Sequence, residues 1–114
     1  MSATDFYLNK GFTPTFKTVS FNAVGTITVW TPRTSTRIVL TELHVASINP
    51  GSTAFYYGNL AGQKIVEFHH GGSAYINAPI HADSNIMDRT LVANSVAPGT
   101  DGVKITAVGF EIPT

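Results

Sequence analysis

The sequence predicts an all-β fold: an eight-stranded antiparallel jelly-roll-like β-sandwich with an extended N-terminal arm. Short segments rich in Val, Ile, Thr and aromatic residues alternate apolar and polar positions with a period of two, as half-buried strands do. Turn-forming Gly, Pro and Asn residues separate these segments at intervals of about 8 to 12 residues, which is typical of sandwiches and barrels. An immunoglobulin-like sandwich is the alternative, but a chain without cysteine lacks the Cys, Trp, Cys spacing of those domains.

The composition indicates a small domain with few surface charges. The 114 residues suffice for a single core. Charged residues make up 12% of the chain, against about 25% in an ordinary soluble domain. Seven basic residues balance seven acidic ones, so no field would attract nucleic acid or an anionic membrane. Because freely diffusing proteins usually keep their net charge away from zero, this balance favours a subunit of an assembly over an isolated domain.

The sequence leads us to expect neither a targeting segment nor a membrane span. Met1 to Lys10 lacks the basic and then apolar regions of a signal peptide. No run approaches the roughly 20 apolar residues of a membrane helix. Since there is no cysteine, disulfides and thiolate metal sites are impossible, and stability must come from the core and from partners.

Residues 1–14 are predicted to form the extended arm, and residues 15–114 a single sandwich domain. The arm carries Phe6, Tyr7, Leu8 and Phe12 and shows no helical period. Three aromatic rings in twelve residues would be unusual in a solvated tail. We therefore expect the arm to pack on a neighbouring subunit or another partner as a tether, the alternative being that it folds over its own domain.

Eight strands are predicted after the arm: residues 15–23, 26–31, 36–47, 53–57, 63–68, 73–78, 90–96 and 102–112. The first two are predicted to pair as a hairpin around Val24 and Gly25. Pro79 suits the end of the sixth strand, since proline cannot donate to a central ladder. Residues 81–88 have little period and are predicted to form a loop.

The longest predicted strand, residues 36–47, contains no Gly or Pro and is expected to be central. Strict alternation would place Val39, Thr41, Leu43 and Val45 on one face and Ile38, Leu40, Glu42 and His44 on the other. The predicted core includes the following apolar residues: Ile38, Leu40, Leu43, Val45, Ile65, Val66, Val92, Ile105 and Val108.

A metal site is a distant hypothesis. His69 and His70 are adjacent, Glu67 precedes them, and His81 and Asp83 follow the next strand; such side chains can bind zinc, iron or manganese. Adjacent residues of a strand point to opposite faces, however, so both imidazoles cannot reach one ion without a bulge. Cupins share only the fold class, because their His-x-His signature is replaced here by His-His-Gly-Gly. We predict no metal and no cofactor.

The chain also lacks the motifs of common catalytic sites. No serine lies in a nucleophile elbow and no Walker-type loop is present, so no catalytic residue is assigned. Trp30, Tyr56, Tyr57 and Tyr75 could stack on sugar rings, but in a small β protein such residues more often lie in the core or at a subunit interface. The candidate interface residues, for a contact with another subunit or another protein, are Phe6, Tyr7, Leu8, Phe12, Trp30, Tyr56 and Tyr57.

Four features between Thr36 and Ile112 follow one another in the order found in a known family. They are the basic and aliphatic residues Arg37 to Leu40, the turn Gly71 to Ser73, Pro79 with Ile80, and Phe110 with Glu111 near the end of the last strand. In these features the chain resembles small jelly-roll structural proteins of tailed bacteriophages.

The resemblance implies a non-enzymatic virion component, a decoration or cement protein that binds the major capsid protein of a phage head. A tail or fibre component is the lesser possibility within the family. The resemblance also implies a homo-oligomer, expected to be a trimer, which assembles in the host cytoplasm and resides in the virion. The rivals from other classes are a carbohydrate-binding module used in host attachment and a metal-dependent cupin-like enzyme.

Overall fold

The computed structural model describes residues 3–21, 25–47, 50–58, 63–71, 74–96 and 102–113. In chain order the elements are α1 (Ala3–Asn9), β1 (Thr15–Phe21), β2 (Gly25–Trp30), β3 (Thr36–Ser47), β4 (Pro50–Tyr57), β5 (Gln63–Gly71), β6 (Ala74–Asp83), β7 (Leu91–Val96) and β8 (Val103–Pro113). Within these ranges no helix is long and apolar enough to cross a membrane.

The strands form two four-stranded antiparallel sheets packed as a sandwich. The first sheet has the order β1-β8-β3-β6 and the second has the order β2-β7-β4-β5. Every connection except the one between β4 and β5 passes from one sheet to the other, which is the topology of an eight-stranded jelly roll. The predicted all-β sandwich is confirmed.

Two local predictions are wrong. The first two strands do not form a hairpin, because β1 pairs with β8 while β2 pairs with β7. A short turn can carry the chain across a sandwich as well as around a hairpin, so the turn residues alone did not distinguish these cases. The sixth strand does not end at Pro79 but continues to Asp83. A proline inside this strand is tolerated because β6 lies at the edge of its sheet.

Most of the predicted core residues lie in or against the core between the sheets. Ile38, Leu40, Leu43, Val45 and Ile105 belong to the central cluster, and Ile65 and Val66 are partly buried and pack against it. Val92 and Val108 are buried but do not belong to that cluster. The two faces predicted for β3 are wrong, however, since Leu40 and Leu43 both enter the space between the sheets.

A β-bulge explains how both leucines point inward. Leu40 pairs with Gly109 and Glu42 pairs with Val108, so Thr41 is an extra residue on β3 relative to β8. The buried hydroxyl of Thr41 donates to the Val108 carbonyl at 3.2 Å. One extra residue reverses the side to which every later residue points, and Glu42 and His44 therefore lie on the outer face.

The N-terminal arm is not extended, since residues 3–9 form helix α1. Gly11 has a positive φ of 87°, and it ends the helix in a Schellman motif. The N–H of Gly11 donates to the Leu8 carbonyl at 3.0 Å and the N–H of Phe12 donates to the Tyr7 carbonyl at 3.2 Å. The accompanying apolar contact joins the rings of Tyr7 and Phe12, whose centroids are 6.3 Å apart.

Helix α1 packs on the outer face of the first sheet of its own domain. Tyr7 is buried in a cluster with Val39, Phe110 and Ile112, and its ring lies 5.2 Å from that of Phe110. The Tyr7 hydroxyl also hydrogen-bonds His81 Nε2 at 3.3 Å. The arm therefore takes the position that we considered as the alternative, folded over its own sandwich.

A substitution at Gly109 tests the packing beside the bulge. A Cβ atom there would collide with the Val39 carbonyl oxygen and lie 3.1 Å from the Leu40 Cα atom. Backbone must move to relieve that contact, so we expect Gly109→Ala to lower the free energy of unfolding by about 1 to 3 kcal/mol. Chemical denaturation measures this, and a loss under about 0.5 kcal/mol would contradict the described β3–β8 register.

Removal of residues 1–12 tests the docking of α1. Burial of Tyr7 is lost and Phe110 and Val39 become exposed, so the isolated chain should lose at least about 1.5 to 3 kcal/mol of unfolding free energy. Chemical denaturation of the truncated chain and of full-length Tyr7→Ala should show losses of similar size. An unchanged stability of the truncated chain would mean that α1 contributes nothing to its own domain and would restore the tether hypothesis.

Candidate functional site

The exposed apolar side chains of the described residues are concentrated on one face. Six large hydrophobic residues are between 42 and 67% exposed: Phe6, Leu8, Phe16, Tyr75, Ile86 and Met87. Phe16 and Tyr75 lie on the outer face of the first sheet, and Phe6 and Leu8 lie on α1, which packs on that same face. Ile86 and Met87 follow β6 in a loop. The outer face of the second sheet carries none of the six.

The part of the outer face that α1 leaves uncovered forms a groove of about 420 Å³. It is lined by Phe16, Glu42, His44, Ala46, Tyr75, Lys104, Thr106 and Val108. We call this surface the groove. Its volume falls in the range of about 300 to 1,000 Å³ seen for ligand pockets, although it is open to solvent along the sheet.

The strand register arranges the groove in three rungs, because directly paired residues point to the same side of a sheet. The first rung runs from Phe16 through Val108 to Glu42, and the central rung joins Thr106 to His44. The third rung runs from Lys104 through Ala46 to Tyr75. The two aromatic rings therefore stand at diagonally opposite corners.

A hydrogen bond positions the more exposed of these rings. The Tyr75 hydroxyl and His44 Nδ1 are 2.9 Å apart, and the two ring centroids are 6.0 Å apart. Tyr75 remains 67% exposed even though its hydroxyl is engaged. An exposed ring held in one orientation loses little conformational freedom when something packs on it.

Two opposite charges of the groove lack ion-pair partners in the described part of the chain. Glu42 is half-buried on β3 and Lys104 is exposed on β8. By contrast, three other carboxylates form ion pairs with basic side chains: Glu111 with Arg33, Asp83 with Arg37, and Glu67 with Lys64. The groove thus offers one free acid and one free base to a partner.

Several predicted interface residues do not lie on the surface. Trp30 and Tyr57 are almost completely buried in the core, and Tyr7 is buried between α1 and the first sheet. In the single chain these three side chains pack against its own sandwich. Phe6 and Leu8 are exposed, while Phe12 and Tyr56 are half-buried, so an interface role for these four stays a prediction.

The polar atoms of Trp30 and Tyr57 join the two sheets. The indole Nε1 of Trp30 donates to Glu111 Oε2 at 3.0 Å, and the Tyr57 hydroxyl donates to the Ala82 carbonyl at 2.7 Å. Burial acts to raise the pKa of Glu111. The hydrogen bonds from Trp30 and from the backbone and guanidinium of Arg33 outweigh it and hold that pKa below its usual value. These contacts are structural and close one end of the sandwich.

The residues of the metal hypothesis are not brought together. Glu67 and His69 lie on the outer face of the second sheet, whereas His81 and Asp83 lie on the outer face of the first. The described residues contain no group of three metal-ligating side chains. The side chain of His70 is outside the described part of the structure.

The comparisons with known proteins show the fold and no family. No family model matches the sequence, and no curated protein sequence matches it. The chain is similar to a chain of the Cyanophage Pam1 capsid asymmetric unit, with a TM-score of 0.50 and 10% identity, over 89% of this chain and 84% of that one. At this identity the likeness shows a shared fold.

Two further solved structures are similar over most of the chain. One is a virus-like particle of the extra small virus of the giant freshwater prawn Macrobrachium rosenbergii, with a TM-score of 0.44 and 10% identity, over 87% of this chain and 77% of that one. The other is a family 6 carbohydrate-binding module, with a TM-score of 0.45 and 12% identity, over 92% of this chain and 90% of that one.

Proposed function

We propose that the chain is a non-enzymatic virion structural protein, a decoration or cement protein that binds the major capsid protein of a phage head. The observation that carries this proposal is the concentration of exposed apolar side chains on and above one face of the jelly roll. Exposed apolar surface that a domain does not bury itself marks a contact site for a partner. The shared fold with the Cyanophage Pam1 capsid chain is compatible with this role.

The capsid contact is assigned to the outward side of α1. Tyr7 points inward and anchors the helix, whereas its sequence neighbours Phe6 and Leu8 are 42 and 44% exposed. The Phe6 ring stands edge-on to Tyr7 with centroids 5.0 Å apart, and Lys10 Nζ lies 4.6 Å from its centroid. A rigid helix presenting two apolar side chains fits a shallow apolar depression on a partner.

The absence of net charge supports attachment to a protein lattice. Seven basic and seven acidic residues leave the chain neutral, so neither nucleic acid nor an anionic lipid surface would hold it by long-range attraction. Contacts must then come from apolar burial and local complementarity. The trimer implied by the phage resemblance stays a prediction.

A paired substitution tests the capsid contact. We expect the double variant Phe6→Ser, Leu8→Ser to fold with nearly unchanged melting temperature and to lose most of its occupancy on heads that lack the native chain. The control is Ile86→Ser, Met87→Ser, because these residues are similarly exposed, at 48 and 44%, in the loop after β6. Co-sedimentation with heads of the virus that encodes the chain measures the occupancy. Equal occupancy of both variants would refute the assignment to α1.

Sugar binding is the second candidate function, and the orientation of Tyr75 favours it. A sugar ring could stack on this exposed ring while Glu42, His44 and Thr106 hydrogen-bond its hydroxyls from the floor of the groove. We expect a glycan array to reveal a ligand if this function holds, with Tyr75→Ala abolishing the signal and Tyr56→Ala, on the other sheet, leaving it unchanged. An array without any signal would remove this candidate.

A further inference from the structure

We propose that the groove is a self-complementary surface at which a second copy of the chain docks about a two-fold axis. This contact uses strands β3 and β8 with their neighbours and is independent of the capsid contact assigned to α1. It adds a partner that the fold and the comparisons leave open.

The chemistry of the groove has a local two-fold pattern about its central rung. A half-turn about an axis perpendicular to the sheet, through the middle of the central rung, brings Phe16 to the position of Tyr75 at the opposite corner. The same operation exchanges the small apolar Val108 for Ala46 and the acid Glu42 for the base Lys104. These three pairs of positions thus have counterparts of similar or complementary chemistry.

Face-to-face packing turns this pattern into attraction. When a two-fold axis lies in the plane of the contact, across the strands and close to the Thr106–His44 rung, Glu42 of each copy approaches Lys104 of the other. Two ion pairs form for one contact, because an isologous interface makes every interaction twice. Phe16 and Tyr75 stand at the rims, where each ring covers the edge of the facing sheet.

Electrostatics favours this occupant over an unrelated surface. Neither Glu42 nor Lys104 has an ion-pair partner within the described residues, whereas the carboxylates of Glu67, Asp83 and Glu111 do. A purely acidic or basic partner would satisfy one of the two charges and oppose the other. A second copy satisfies both.

The size of the surface predicts a weak contact. Four strands spaced about 4.8 Å apart make the patch about 20 Å wide. Along the strands, the residues between the outer rungs and their side chains make it about 20 Å long. Two such patches bury about 800 Å², below the about 1,200 to 2,000 Å² of stable complexes. The dimer should therefore dissociate at micromolar concentration.

The two-fold contact differs from the trimer that the phage resemblance implies. A three-fold assembly joins two different surfaces of each copy, whereas this contact joins one surface to itself. Molecular mass therefore separates them. A dimer has twice the 12.2 kDa mass of the chain, and a trimer has three times that mass.

Charge reversal at two positions tests the proposal on the full-length chain. Sedimentation velocity of the native chain at up to about 1 mM should show a concentration-dependent monomer and dimer. Glu42→Lys and Lys104→Glu alone should each weaken self-association by about tenfold or more, since like charges then face one another twice. An equimolar mixture of the two variants should form a mixed dimer, because each reversed residue meets its complement.

Controls separate this contact from general charge effects and from the capsid contact. Lys64→Glu reverses a charge on the outer face of the second sheet and should leave self-association unchanged. The variant Phe6→Ser, Leu8→Ser should still dimerise, so loss of capsid binding and loss of dimers are independent results. The proposal would be overturned if the native chain stays monomeric or forms only trimers. It would also be overturned if the two variants do not pair when mixed. Melting curves establish that each variant is folded.

Discussion

The pairing of β3 with β8, interrupted by the bulge at Thr41, is the constraint on which the rest of the structure depends. Eleven residue pairs join these strands at the centre of the first sheet. Before the bulge Val39 faces outward beside Phe110, and after it Glu42 and His44 face outward. The bulge thus divides the outer face into an apolar part, which α1 covers, and a mixed part, which becomes the groove.

The sequence predicted the number of strands, the sandwich and most of the core, because alternation and turn residues are local signals. The bulge left no such signal. Ile38, Val39 and Leu40 are all apolar, so their pattern does not show which of these side chains face the space between the sheets. Helix α1 is too short for its period to be detected. Gly11 followed by Phe12 was nonetheless a signal for the end of a helix, because Phe12 lies five residues after Tyr7, as the apolar pair of a Schellman motif does. The hairpin prediction failed because strand pairing is set by the whole topology.

The candidate site was predictable only in part. Composition selects aromatic residues but does not separate those that fill a core from those that face a partner, and Trp30 and Tyr57 proved to be core residues bonded across the sheets. The alternation of Glu42 and His44 with Leu43 and Val45 did indicate an open outer face. Assembling Phe16, Lys104 and Tyr75 around it required the strand order, in which residues distant in sequence become neighbours.

Both proposed contacts use the outer face of the first sheet and the helix α1 that packs on it. A cryo-EM map of the assembled particle at side-chain resolution tests this placement most directly. We expect Phe6, Leu8, Phe16 and Tyr75 to lie against protein density, and the outer face of the second sheet, with Tyr56 and Glu67, to be open to solvent. A map with these two faces exchanged, or without this chain on the particle, would contradict it.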